Sequence, residues 1–322
     1  MPKQLIATES GRLDKLLASM LDESRNQVEK LILEGLVSVN GKTIKKSSYK
    51  LSIDDIVEYR YAQAKIKEAI EIDFDIEILY EDDDLMIINK PSGLVVHPAP
   101  SVKGATLVDW LVHRGVSLST ISGEERHGIV HRIDKETTGA LVIAKNNDTH
   151  RALSEQLQDK SMGRYYLAII DQPLKESRRV NRPIARNRNN RLKMSIEQDG
   201  RTAKTEFISI VPSRLKSELI AAKLYTGRTH QIRVHLESLG RHILGDELYG
   251  YKSKSKNIPR VYLHAYMLYM THPRTGEMLE VVAPLHSDMN DYLDKYFNQG
   301  EISEKIDNKV LKNSFSNASF ME

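Results

Sequence analysis

The densest concentration of chemistry-bearing residues is His127-Gly128-Ile129-Val130-His131-Arg132-Ile133-Asp134-Lys135-Glu136-Thr137-Thr138-Gly139, which leads into an apolar run, Ala140–Lys145, that reads as a strand. Asp134 stands between Arg132 and Lys135, and flanking cations favour an ionised carboxylate that can accept a proton or attack as a nucleophile. An Asp ahead of Thr-Thr-Gly is also what an Asx turn uses, so the chemical reading requires partners elsewhere in the chain.

One partner is offered by Gly227-Arg228-Thr229-His230-Gln231-Ile232-Arg233-Val234-His235-Leu236. Ile232, Leu236 and Leu239 make the apolar stripe of a helix over Thr229–Leu239, with Thr229 as its N-cap. Arg228, His230 and Arg233 then crowd the positive end of the helix dipole, a conflict that a nearby anion removes. That anion is either an RNA phosphate or Asp134. The alternative is a set of ordinary surface arginines.

A further candidate is the strand Gly163-Arg164-Tyr165-Tyr166-Leu167-Ala168, where adjacent tyrosines point to opposite faces. Such a ring either packs in a core or stacks on a base. Arg178 to Lys193 is rich in cations and holds no carboxylate, a pattern suited to phosphate contact. The pairs His127/His131 and His230/His235 suggest metal ligation, but the HExxH arrangement is absent and the chain has no Cys. We therefore expect no metal, and His131 reads as a loop or RNA-contact residue.

The elements that must position these groups follow from periodicity. Strands are expected at Leu85–Lys90, Ala140–Lys145, Tyr165–Ile170, Lys204–Val211, Glu218–Tyr225, Val261–Thr271 and Met278–Ala283. Helices are expected at Leu107–Arg114, Thr149–Asp159 and Thr229–Leu239. Strands outnumber helices without βα alternation or a Gly-rich dinucleotide turn, so an α+β domain on a mostly antiparallel sheet is predicted rather than a doubly wound nucleotide fold.

Ahead of this domain, Leu13, Leu16, Leu17 and Met20 form one helical stripe, and Ser24/Gln27 make a capping pair before a second helix carrying Val28, Leu31 and Ile32. Leu36-Val37-Ser38-Val39 then alternates like a strand into Asn40-Gly41, the dipeptide preferred by type I′ hairpins. The resulting helix–helix–hairpin module carries Arg12, Lys15 and Arg25 at solvent-facing positions.

The 322 residues predict about two domains. The boundaries read as 1–61 for the first module (core about 11–60), 62–77 for a linker, 78–299 for the second domain and 300–322 for a flexible, polar tail. Absence of Cys removes disulfide and thiolate chemistry, and a net charge of +3 permits an anionic partner without requiring one. No apolar run approaches ~18 residues and no signal-peptide core follows Met1, so a cytoplasmic protein without membrane association is expected.

Two resemblances sharpen these readings. The order Arg12-Leu13-Asp14-Lys15-Leu16-Leu17, Ser24-Arg25 and Gly35-Leu36-Val37-Ser38-Val39-Asn40-Gly41 is similar to an S4 RNA-binding domain over about residues 11–60. His131-Arg132-Ile133-Asp134-Lys135-Glu136-Thr137-Thr138-Gly139 resembles the HRLDxxTSG signature of the RluA/RluD-type pseudouridine synthases, with Ile133 and Thr138 as departures. Arg164-Tyr165-Tyr166-Leu167-Ala168 resembles the family's KxYxA element with Arg for Lys, and Gly227–His235 resembles its third motif.

The resemblance implies an intramolecular isomerase that turns uridine into 5-ribosyluracil, acts on 23S-type ribosomal RNA and needs no cofactor; a monomer is the default expectation. It implies Asp134 as the catalytic nucleophile or base, paired with Arg233, and Tyr166 stacked on a flipped uracil and contributing to proton handling at C5. Base flipping is required because a glycosidic bond inside a stack is inaccessible. Arg132 would fill the vacated space, with His97, His131 and Arg228 as further RNA contacts. Whether the acid attacks C1′, attacks C6 or removes the 2′ proton stays open. The competing reading is a binding protein of the same fold, an RNA chaperone or assembly factor without turnover. A metal-dependent nuclease is disfavoured because no cluster of carboxylates is available for paired ions.

Overall fold

A computed structural model describes residues 3–21, 25–60, 72–98, 102, 104–119, 127–252 and 258–321. The chain divides into two compact units, 1–70 and 71–322.

In the first unit β1 (Lys3–Ile6) and β2 (Gly11–Arg12) precede α1 (Leu13–Leu21) and α2 (Arg25–Leu33), followed by β3 (Val37–Val39), β4 (Lys42–Thr43), β5 (Lys50–Leu51) and β6 (Ile56–Tyr59). The expected stripe of α1 is buried at Leu13, Leu16 and Leu17, and it meets Val28, Leu31 and Ile32 of α2. Asn40 and Gly41 both take the left-handed backbone that the β3–β4 hairpin requires. Ser24, expected to cap α2, lies outside the described residues.

The second unit is built on a nine-stranded sheet. Its first strands are β7 (Glu77–Glu81) and β8 (Leu85–Lys90); α3 (Leu107–His113), β9 (Thr138–Ala144), α4 (Asn147–Asp159) and β10 (Gly163–Ile170) follow. Next come β11 (Arg178–Asn181), the small pair β12 (Ile184–Arg186) and β13 (Met194–Ile196), then β14 (Lys204–Pro212), β15 (Glu218–Leu224) and α5 (Gln231–Ser238). The chain closes with β16 (Leu263–Thr271), β17 (Met278–Val282), α6 (Ser287–Tyr296), α7 (Gln299–Lys305) and α8 (Asn308–Asn317).

The sheet order is β11-β14-β15-β10-β16-β9-β8-β7, with β17 also on β16. All its pairings are antiparallel except β16 with β9, which is parallel. That join brings two halves of the sheet together at Thr138 and Gly139. Gly139 has a φ of +109°, and a Cβ there would lie 2.3 Å from the Ala265 carbonyl, so only glycine permits this approach.

Two sequence boundaries need correction. Part of the expected linker, 62–71, lies outside the described residues, but 72–77 belongs to the second unit, because Ile72, Phe74 and Ile76 alternate and bury apolar side chains beside α3. The expected flexible tail forms α8 and most of α7. Ile302, Leu311 and Phe315 are buried in the same core as β10 and β14, an apolar face only one residue per turn wide.

Candidate active site

Three segments that are far apart in sequence line one cleft at the middle of the sheet: the loop before β9, the start of β10 and the turn before α5. Asp134, Tyr166 and Arg233 all face it. The local sequence explains each placement. Asp134 starts a turn in which Thr137 N–H donates to the Asp134 carbonyl, and Thr138 then enters β9. The Asp134 carboxylate caps no backbone N–H among the described residues; its charged contact is Arg233, Nη1 to Oδ2 at 3.8 Å.

Arg164 and Tyr166 alternate with Tyr165 along β10, so they share the cleft face while Tyr165 packs against Tyr269 and Phe315 behind the sheet. The β10–β16 register slips between Tyr165 and Tyr166, an irregularity that re-aims a side chain next to the site. Tyr166 is buried, and burial is the main force raising its phenol pKa; Arg164 opposes the shift and Asp134 reinforces it.

Helix α5 begins at Gln231, later than the Thr229 start read from sequence. His230 occupies the N-cap position with φ +56°, a strained backbone for a residue with a Cβ, and gives no side-chain cap; Gln231 instead braces the preceding turn by accepting from Arg228 N–H at 3.0 Å and Thr226 Oγ1 at 2.8 Å. Arg233 therefore points back into the cleft from the first turn. Its Nε and Nη2 each donate to Asp246 at 2.7 Å, and its guanidinium lies 4.8 Å over the Tyr249 ring. The anion expected near Arg233 is thus two carboxylates: Asp246 in a bidentate grip and Asp134 at the free nitrogen.

Sequence reasoning missed three supports. Asp246 and Tyr249 lie in Gly245-Asp246-Glu247-Leu248-Tyr249-Gly250, where a charged and an aromatic residue between glycines was the available signal. Tyr249 hydroxyl bonds His230 Nδ1 at 2.8 Å and accepts from Met194 N–H at 2.8 Å, tying the β12–β13 hairpin to the cleft. Lys90, the cation ending a strand that opens with four apolar residues, is fully buried. Its Nζ donates to the carbonyls of Pro91 at 2.8 Å, Leu94 at 2.9 Å and Lys135 at 3.0 Å. Burial lowers its ammonium pKa to about 7, against the pull of Asp134 and Glu136.

The expected RNA contacts divide. Arg132 is exposed and Arg228 half-buried, and both line the cleft. His131 does not face outward. The segment before β9 pairs with it through Ile129 and Ile143, which turns His131 inward, where Nε2 accepts from Val142 N–H at 3.2 Å. Burial holds its imidazole well below the usual range, with Arg164 adding to the shift. His97 is half-buried on the loop whose carbonyls at Val95 and Val96 receive the first N–H groups of α3, and it is not a cleft residue. In the first unit Lys15 is exposed, while Arg12 and Arg25 converge on buried Asp14 at 2.9 and 2.7 Å.

His235 serves structure: it bonds Thr205 Oγ1 at 2.8 Å and the Arg182 carbonyl at 3.1 Å. Among the described residues Asp82, Asp84 and His272 come together elsewhere, already bonded to each other, to Arg274 and to backbone N–H groups.

Comparison with known proteins identifies the family. Residues 84–238 match the RNA pseudouridylate synthase family model and 11–57 match the S4 domain. The chain is 46% identical to an uncharacterized RNA pseudouridine synthase of Helicobacter pylori strain J99, over 98% of this chain and 99% of the relative. It is 39% identical to ribosomal large subunit pseudouridine synthase D of Zymomonas mobilis, over 86% of this chain and 91% of that one. The structure resembles human RNA pseudouridylate synthase domain containing 4 with a TM-score of 0.54 and 26% identity, covering 68% of this chain and 92% of that one. With an S4 domain ahead of its catalytic unit, the chain belongs to the RNA pseudouridine synthases, enzymes that isomerise uridine in RNA.

Proposed function

We propose that this synthase modifies uridine in large-subunit ribosomal RNA, with Asp134 as the catalytic carboxylate, Tyr166 as the platform for the flipped base and Arg233 as the cation that holds the acid in place. The observation that carries the site is the convergence of Asp134, Tyr166 and Arg233 on one cleft from three separate segments. The target class is supported by likeness to the Zymomonas mobilis large-subunit enzyme over most of both chains.

The chemistry follows from what the cleft holds. Isomerisation breaks the N1–C1′ bond, joins C1′ to C5, and moves the C5 proton away while N1 gains one, so no second reactant is bound. What the protein supplies is orientation and fixed charge. Tyr166 faces the cleft and offers its ring as a stacking surface and its hydroxyl, kept neutral by burial, to the proton leaving C5, while the carboxylate of Asp134 handles atoms of the nucleoside. Exposed Arg132, two residues before Asp134, is placed to enter the helix as the base leaves; a guanidinium can stack there and bond orphaned base edges. Arg12, Lys15 and Arg25 of the S4 unit and the cationic segment from Arg178 to Lys193 contribute phosphate contacts.

The test is to map pseudouridines in ribosomal RNA from cells lacking the gene and from cells complemented with wild type or Asp134→Asn. A large-subunit pseudouridine should vanish on deletion, return with wild type and stay absent with the variant. Unaltered large-subunit RNA would overturn the assigned target, and modification restored by Asp134→Asn would overturn the assigned acid.

A further inference from the structure

Arg164 is the anomaly of the cleft. Its side chain is 7% exposed, yet no carboxylate among the described residues lies within ion-pair distance of it, and its Nε has no hydrogen-bond partner. A buried guanidinium without a counter-charge costs several kcal/mol and is kept only where something else supplies the anion. The surroundings do not supply it. Arg132, Arg164, Arg228 and Arg233 line the cleft with Asp134 as the facing acid, and Asp246 is already engaged by two nitrogens of Arg233.

The position also has room made for it. Gly227 borders the guanidinium, and a Cβ at that residue would stand 3.1 Å from Arg164 Nη1. Glycine at the entry to α5 thus leaves the fork open towards the cleft. Arg164 and Tyr166 project from the same face of β10 two residues apart, about 7 Å along the strand. That spacing is comparable with the span from a pyrimidine ring to the phosphate of its own nucleotide.

We propose that Arg164 binds a phosphodiester flanking the flipped uridine, donating its planar N–H fork to the phosphate oxygens while Tyr166 holds the ring. The inference rests on the reading of the Asp134 cleft as the uridine site. A neutral uracil carbonyl would not balance a full buried charge; a phosphate does, and it fits the guanidinium bidentately. The same reasoning makes Arg164 a cost to the free protein and a gain only when RNA is bound.

The experiment uses full-length wild type, Arg164→Met, Arg164→Lys and Asp134→Asn. Turnover is read as tritium released from RNA labelled at uridine C5 and prepared from cells lacking the gene, with kcat and KM separated and repeated across a salt series. Melting temperatures are measured with uridine, uridine 3′-monophosphate and uridine 5′-monophosphate as probes. Arg164→Met should melt no lower than wild type, because an uncompensated charge has been removed. Its KM should rise about ten- to hundredfold, with the salt slope smaller by about 0.7 for one lost phosphate contact. At least one monophosphate should raise the wild-type melting temperature above the effect of uridine, and that surplus should disappear in Arg164→Met.

An unchanged KM and salt slope in Arg164→Met would overturn the proposal. So would equal loss of protection by uridine and the monophosphates, which would assign Arg164 to the base. If Arg164→Met does not fold, Arg164→Lys decides: it keeps the charge and loses the fork, so it should melt like wild type with a raised KM, and a wild-type KM would end the proposal. Tritium release by Asp134→Asn would instead overturn the reading of the cleft itself.

Discussion

Asp246 holds Arg233 by two hydrogen bonds of 2.7 Å and leaves the third nitrogen 3.8 Å from Asp134. With Asp134 as the proposed catalytic carboxylate, the unequal distances divide the labour: one carboxylate fixes the guanidinium and the other stays loosely paired, free to approach a nucleoside. A tight bidentate grip on that second carboxylate would occupy the lone pairs it needs.

Asp246→Asn should therefore slow catalysis through Arg233. With the grip weakened, the guanidinium closes on Asp134 and kcat falls about a hundredfold, while KM for RNA changes little. Stability should drop by about 3 kcal/mol, since removing one partner of a buried pair strands the other. Single-turnover rates and urea denaturation separate the two effects. A wild-type kcat in a destabilised protein would make Asp246 a purely structural residue.

Lys90 is expected to position the catalytic loop from beneath. The Lys135 carbonyl that it bonds follows Asp134 directly and also accepts from Gly93 N–H, so the 91–94 loop and the catalytic loop share one clamp. Lys90→Met leaves the Pro91 and Leu94 carbonyls without this donor, at about 1–3 kcal/mol each, partly offset because an ammonium is no longer buried. Turnover should fall about tenfold or more and Lys90→Gln, which retains two N–H donors, should recover part of it. Equal kcat in both variants and wild type would remove the positioning role.

How much of this was readable in sequence depends on what each feature rests upon. The α1 stripe, the Asn40-Gly41 hairpin, the strand over Leu85–Lys90 and the face alternation of Tyr165 and Tyr166 are local, so periodicity and turn chemistry disclose them. Arg233 announced that it needed an anion, but which one depends on the fold: Asp246 lies thirteen residues further on, beyond the end of α5, and only packing brings it back. His131 misled for a related reason, because a polar residue beside a catalytic motif looks like a contact until Ile129 pairs with β9 and turns it inward. The linker end was misread because the acidic residues Asp73, Asp75 and Glu77 mask the alternation of Ile72, Phe74 and Ile76, and the tail because its apolar residues are sparse.

Asp14 gives the first unit an acid-sensitive joint. The Arg12 hydrogen bonds, with Arg25 adding, hold its carboxyl down at about 2 against an ordinary 3.8. A carboxyl lowered on folding stabilises the native state above the unfolded value and loses that contribution as pH falls through the folded one. Amide exchange in α1 and β2 should accelerate from about pH 4 down to about pH 2 in wild type, whereas Asp14→Asn should be weaker throughout and nearly flat across that window. The same pH dependence in both proteins would detach the effect from this residue. Because both guanidiniums are about half exposed, the contribution is screened by salt and should shrink in 1 M NaCl.

The last two helices provide a test of the catalytic unit's core. Leu311 and Phe315 are one turn apart on α8 and face the sheet, and the Phe315 ring lies 5.2 Å from that of Tyr165 at a 53° tilt. Tyr165 is on the face of β10 opposite the cleft, so this contact supports the strand that carries Arg164 and Tyr166. Truncating a buried Leu or Phe to Ala costs about 2–5 kcal/mol, and for a domain of this size each kcal/mol lowers Tm by about 2–4 °C. Leu311→Ala and Phe315→Ala should each depress the melting temperature by several degrees, and the double variant by less than the sum because the two side chains share a cavity. Turnover at 25 °C should stay near wild type, since the residues touch nothing in the cleft. Melting temperatures within a degree of wild type would mean that the segment after residue 300 does not complete the core.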